Sequence, residues 1–137
     1  MKVMLLTETA QMPSKAYQGD GGWDLYCDED ALIIENAWLP VKTGIAVAIP
    51  EGFVGVIKPR SGLSVKLGYD ILAGVIDSQY RGEIKVVIAA SNQRIGFKKG
   101  DKIAQMLILP VNLEPCEKVD SLPDTDRGIK GWGSSGN

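Results

Sequence analysis

The chain has 137 residues, 45% of them hydrophobic, with a formal charge of -2 and a sequence pI near 5.1. That length gives one domain with a modest core, and that composition excludes a disordered chain. The acidic balance excludes the broad basic surface that nucleic acid or anionic membrane requires, so neither is expected as a partner.

Histidine is absent. Its absence excludes Ser-His-Asp and Cys-His catalysis and any zinc site that needs imidazole. Chemistry is left to carboxylates, arginine, lysine, hydroxyls, backbone amides or a hard metal held by oxygens. Cys27 and Cys116 are too few for a disulfide framework and are expected as reduced thiols in a cytoplasmic protein. Residues 1–6 are too short for the apolar core of a signal peptide, and no stretch reads as a spanning helix.

In chain order, the first informative segment is Gly19-Asp20-Gly21-Gly22-Trp23-Asp24-Leu25. Permissive glycines precede Asp24 at the start of a strand. The segment is a turn, or it sets an acid to partner an arginine or a metal-bound water. Val41, Thr43, Ile45, Val47 and Ile49 then alternate with Lys42, Gly44, Ala46 and Ala48, the period of a half-buried strand. Residues 53–57 predict another strand. Pro59-Arg60-Ser61-Gly62-Leu63 follows, a surface turn or an anion contact made by arginine, hydroxyl and glycine amide. Residues 61–67 predict one short turn of helix.

Gly74-Val75-Ile76-Asp77-Ser78-Gln79-Tyr80-Arg81-Gly82-Glu83 predicts a β-hairpin that points Asp77 and Tyr80 toward the same space. The acid is a plain hairpin-turn residue, or one that orients a sugar hydroxyl and deprotonates a water. Ile84, Val86 and Ile88 resume the alternation. Residues 103–109 predict a strand closed by Pro110. Within Gly100-Asp101-Lys102-Ile103-Ala104-Gln105, Gln105 is a satisfied core amide or one that fixes a water or a phosphate. Residues 111–119 predict a last extended piece. From Asp120 onward the chain is polar and glycine-rich, too poor in apolar surface to order alone. Its Asp126-Arg127-Gly128-Ile129-Lys130-Gly131-Trp132-Gly133-Ser134-Ser135-Gly136 run carries a cation, four glycines, an aromatic ring and two hydroxyls; it is a flexible tail with a stray tryptophan, or a set suited to phosphates and a stacked base. The sum is an all-β, jelly-roll-like sandwich or barrel over residues 1–119, with a flexible C-terminal arm over 120–137.

These five islands, in this order, resemble the five motifs of the trimeric dUTPase family, from about Ala16 to Gly136. The resemblance implies a homotrimer whose three active sites are each built from all three chains. It implies hydrolysis of dUTP to dUMP and pyrophosphate with Mg²⁺, which keeps uracil out of DNA and supplies dUMP. The residues matching Arg60, Ser61, Gly62 and Gln105 then hold phosphates or the attacking water. Gly74 and Ile76 lie in the hairpin that reads uracil through main-chain hydrogen bonds. Asp77 activates the water and touches the sugar, and Tyr80 packs under deoxyribose. Asp24 acts through water around a metal held mainly by substrate phosphates. The arm closes as a lid, with Arg127 on the γ-phosphate, Trp132 over uracil, and Gly131, Gly133, Ser134 and Ser135 completing its contacts.

The chain departs from the family pattern at a few places. Trp132 stands for a usual phenylalanine, Lys102 for a common arginine, and Ala90 for a frequent asparagine, with Asn92 nearby. Ile71 occupies a position that is asparagine in some members. The related dCTP deaminases carry a glutamate at the position of Val87, so the resemblance weighs against deamination. A dUTPase scaffold can also serve as a nucleotide-gated interaction module, but no inserted segment marks this chain for that use.

Overall fold

Ile84, Val86 and Ile88 are wholly buried, and they lie on a strand with both edges occupied. A computed structural model describes residues 1–131 of the chain. Its strands are β1 (Lys2–Leu5), β2 (Gly22–Tyr26), β3 (Ala31–Ile33), β4 (Trp38–Ala48), β5 (Phe53–Lys58), β6 (Tyr69–Leu72), β7 (Val75–Ile76), β8 (Glu83–Ala90), β9 (Ile95–Phe97) and β10 (Lys102–Pro110). One helix, α1 (Ser61–Leu67), follows β5. The all-β expectation is met.

Two four-stranded antiparallel sheets run β1-β4-β8-β6 and β2-β10-β5-β7, and β3 pairs with β9 beside them. One core joins all three sheets, with Val41, Ile45 and Ile88 meeting Leu25, Ile57, Met106, Ile33 and Phe97. Each fully buried branched side chain contributes about 1.5–3 kcal/mol relative to exposure. The alternation read for residues 41–49 places every apolar member inside. Gly44 and Ala46 are buried as well, because the β4–β8 register shifts between Lys42 and Ala46. Gly44 sits in that irregularity at φ 65°, where a Cβ would lie 2.7 Å from the Asp28 carboxylate.

Two expectations need correction. The hairpin around residues 74–83 is not formed by β7 and β8. Both edges of β8 are taken, by β4 and β6, so β7 joins β5 in the other sheet. The hairpin arms are β6 and β8, with Leu72 opposite Val87, and residues 73–82 form the loop between them. Ala73 (φ 57°) and Gly74 (φ 92°) turn the chain out of β6. The Gly74 carbonyl then accepts the Ile57 N–H at 2.8 Å, which ties the loop to β5.

The second correction concerns residues 111–119, which join no sheet. The Val111 N–H reaches the Gly52 carbonyl at 2.9 Å, and beyond it residues 112–131 are exposed. Their side chains alternate too little with apolar residues to bury a face. Helix α1 is longer than one turn and ends at Gly68, whose left-handed conformation (φ 64°) lets its N–H bond the Ser64 carbonyl. Among the described residues no helix is long and apolar enough to cross a membrane. Both cysteines are free, Cys27 buried and Cys116 exposed.

Candidate active site

Strand β10 is irregular where it matters. Lys102 lies opposite Tyr26, but the next paired residue is Ala104, opposite Leu25. Ile103 is the extra residue of a β-bulge, and Ile103 and Ala104 are both buried in succession. The break in alternation puts Lys102 and Gln105, three residues apart, on the solvent side of one strand. Gln105 lies between Asp24 of β2 and Lys58 of β5.

Asp24 is the buried acid of this region. Its Oδ1 is 3.0 Å from Nε of Arg60, and its Oδ2 accepts from Nζ of Lys102 at 2.7 Å. The hydrogen bond to Asp24 raises the pKa of Lys102, with the Asp24 charge adding to it. One carboxylate thus gathers two cations and leaves the group with net positive charge. Arg60 uses Nε here, and its terminal nitrogens make no hydrogen bond among the described residues.

Around these residues lies a cleft of about 480 Å³. Arg60, Ser61 and Gly62 form one wall, Gly21, Gly22 and Asp24 another, and Gln105 the floor. The Gln105 amide donates from Nε2 to the Pro59 carbonyl at 3.1 Å, which fixes the orientation of the amide. Its Oε1 lies against Gly22, where a Cβ would come within 2.4 Å. Chemically this is an anion cleft with an oriented guanidinium, a hydroxyl, the first amides of α1 and one amide side chain.

Nothing in the sequence marks Tyr69. It is 2% exposed, and its hydroxyl donates to the Ile103 carbonyl at 2.8 Å and accepts the Arg60 N–H at 3.3 Å. Burial pushes its pKa up. An isolated Gly-Tyr-Asp gives no sign of this, because the partner carbonyl is created by a bulge more than thirty residues away.

Asp77 and Tyr80 lie elsewhere. Asp77 follows Ile76, which pairs with Gly55, whereas Gln105 is reached through Lys58. Strand spacing sets Asp77 about 13 Å along the sheet and about 10 Å across it from Gln105. Asp77 and Tyr80 are exposed and line a separate cleft of about 720 Å³ with Val75, Gln79, Val111 and Leu113. The Tyr80 hydroxyl donates to the Glu83 carbonyl at 3.1 Å, and the ring leans over Gly82, where any Cβ would collide with it. Gly74 and Ile76 stand at the start of the same loop.

Arg127 is exposed, and its Nε donates to the Lys130 carbonyl at 3.1 Å in a local turn. Gly131 is exposed too. Neither lines either cleft. Trp132, Gly133, Ser134 and Ser135 lie outside the described residues. One chain therefore brings Asp24, Arg60, Ser61, Gly62 and Gln105 together and holds Asp77 and Tyr80 apart from them. Among the described residues no three acidic or cysteine side chains converge as a metal cage.

The architecture is a two-sheet β fold with a polar, arginine-bearing cleft on one flank and an acid-bearing loop on another. The dUTPase family model matches residues 8–136, and the chain belongs to that family. A deoxyuridine 5'-triphosphate nucleotidohydrolase of Tropheryma whipplei is 43% identical over 140 residues, covering 99% of this chain and 96% of the relative. Another, from Corynebacterium glutamicum, is 42% identical, with 99% and 94% covered. A point mutant of the Staphylococcus bacteriophage 80alpha dUTPase with dUpNHpp has a TM-score of 0.92 and 28% identity, covering 99% of this chain and 98% of that one. A point mutant of the dUTPase from phage phi11 of S. aureus, described with a structural Mg(II) ion, has a TM-score of 0.83 and 28% identity, covering 88% and 96%.

Proposed function

We propose that the protein hydrolyses dUTP to dUMP and pyrophosphate, in sites shared between the chains of a homotrimer. The observation that carries this reading is the separation of the two half-sites. Each half has the chemistry of one part of a nucleotide, which fits a site completed by a neighbouring chain. In the family to which this chain belongs, relatives are named for action on deoxyuridine triphosphate.

In this reading Arg60, Ser61, Gly62 and Gln105 bind the phosphates. The loop of residues 73–82 from a neighbouring chain presents main-chain groups at Gly74 and Ile76 to uracil. Asp77 takes the proton from the attacking water, and Tyr80 supports the sugar. Residues 120–137 act as an arm that brings Arg127, Trp132 and the glycines and serines around it over the bound substrate. A site that pairs the uracil edge rejects cytosine by about 10⁴-fold, since the wrong base leaves buried polar groups unpaired.

The donor set near the cleft does not make a resident Mg²⁺ site. Both oxygens of Asp24 are held by cations, and Asp20 Oδ2 accepts the Tyr17 N–H at 2.9 Å. We infer that Mg²⁺ arrives chelated to the triphosphate, as part of the substrate. Val87 on β8, opposite Leu72 and Pro40, supplies no acid for deamination.

A pyrophosphate-release assay over dUTP, dCTP, dTTP and UTP tests the reading. Turnover of dUTP at least a thousandfold above the others is expected, a ratio worth about 4 kcal/mol. Comparable rates on all four, or ammonia release from dCTP, would overturn it.

A further inference from the structure

We propose that Tyr69, which lies outside all five motifs, is a positioning residue for the phosphate cleft: its hydroxyl clamps the bulge of β10 to the turn that carries Arg60. The inference rests on the dUTP reading above. A buried phenol must find partners for its hydroxyl, and Tyr69 has two.

Both partners are groups that regular structure leaves over. Ile103 has no partner residue in either ladder of β10, because the register with β2 skips it and pairing with β5 begins at Gln105. Arg60 is the residue at which α1 is capped, and no side chain caps that end. Packing alone does not require the oxygen. The Tyr69 ring already meets Phe97 edge-on, with centroids 6.2 Å apart and planes at 75°.

The two clamped segments are the ones that supply the cations on Asp24. Arg60 comes from the turn, and Lys102 adjoins the bulge. Without the hydroxyl, turn and strand keep the Gln105–Pro59 bond and the ion pairs on Asp24, and the guanidinium is held less firmly toward the phosphates. The base loop has a tie of its own, from the Ile57 N–H to the Gly74 carbonyl, which does not involve the Tyr69 hydroxyl.

Tyr69→Phe keeps the ring and removes one oxygen. The experiment compares wild type and variant for binding of inorganic pyrophosphate, dUpNHpp and deoxyuridine by titration calorimetry. Pyrophosphate and dUpNHpp affinities are expected to fall about tenfold, with deoxyuridine affinity within twofold of wild type. The ratio of affinities is read on the folded fraction, so lost stability cannot mimic it. In an Arg60→Ala background, Tyr69→Phe should cost less than twofold, because its effect passes through Arg60. Equal losses for all three ligands, no loss, or full additivity with Arg60→Ala would overturn the proposal. A wild-type protein that binds pyrophosphate but leaves dUTP intact would instead overturn the functional reading.

Discussion

Gly22 and Gln105 show how much a single hydrogen atom in place of a methyl can decide. A Cβ at Gly22 would sit 2.4 Å from Oε1 of Gln105. The end of a glutamine can move away, so Gly22→Ala should cost little stability, on the order of the 1 kcal/mol of one lost hydrogen bond. The swing breaks the bond to the Pro59 carbonyl and turns the amide off its target. We predict a loss of kcat/KM for dUTP of about tenfold or more with a melting temperature within a few degrees of wild type, checked by steady-state kinetics beside thermal melts. Most of the anion cleft was legible at this scale. Asp24, Arg60, Ser61 and Gln105 stand out in the sequence as polar residues among glycines, Gly62 included, and strand residues. Tyr69 and the second cation on Asp24 did not, because their meaning depends on a bulge that only the folded pairing creates.

At the scale of elements, the alternating runs gave β4, β5, β8 and β10 directly, since each buries one face. The sequence could not say which strand pairs with which. Read locally, residues 74–83 form a hairpin of their own. In the fold, β8 already has two neighbours, and the arms belong to β6 and β8. Another long-range tie joins the N-terminal segment to the sandwich. Asp28 accepts from the Thr7 hydroxyl at 2.5 Å and the Thr9 hydroxyl at 2.7 Å, with Lys99 Nζ 3.4 Å away. Burial pushes this carboxyl up, but the two hydroxyls and Lys99 outweigh burial and hold its pKa below the ordinary value. A lowered folded pKa stabilises the protein above the unfolded value, near 3.9, and that contribution is lost as the pH falls through the folded one. Urea denaturation should therefore show a steeper loss of stability below about pH 4 in wild type than in Asp28→Asn. Identical slopes would remove Asp28 as a source of acid sensitivity.

For the whole molecule, the five islands predicted one site, whereas the residues named for it line two separate clefts of one chain. Sequence order cannot reveal that division, because residues adjacent in a motif map say nothing about which copy completes which cleft. A mixing experiment can. Asp77→Asn and Gln105→Ala should each be inactive as homotrimers. Unfolded together and reassembled at equal amounts, they should regain about one quarter of wild-type activity, the chance that an intact loop meets an intact cleft in a closed ring. No recovery would argue that each chain works alone. The span between Asp77 and Gln105 also has a practical meaning for the cell and the bench. On the proposed shared-site reading, a lone chain has no turnover, so specific activity should fall on dilution below the dissociation constant of the assembly and return on concentration.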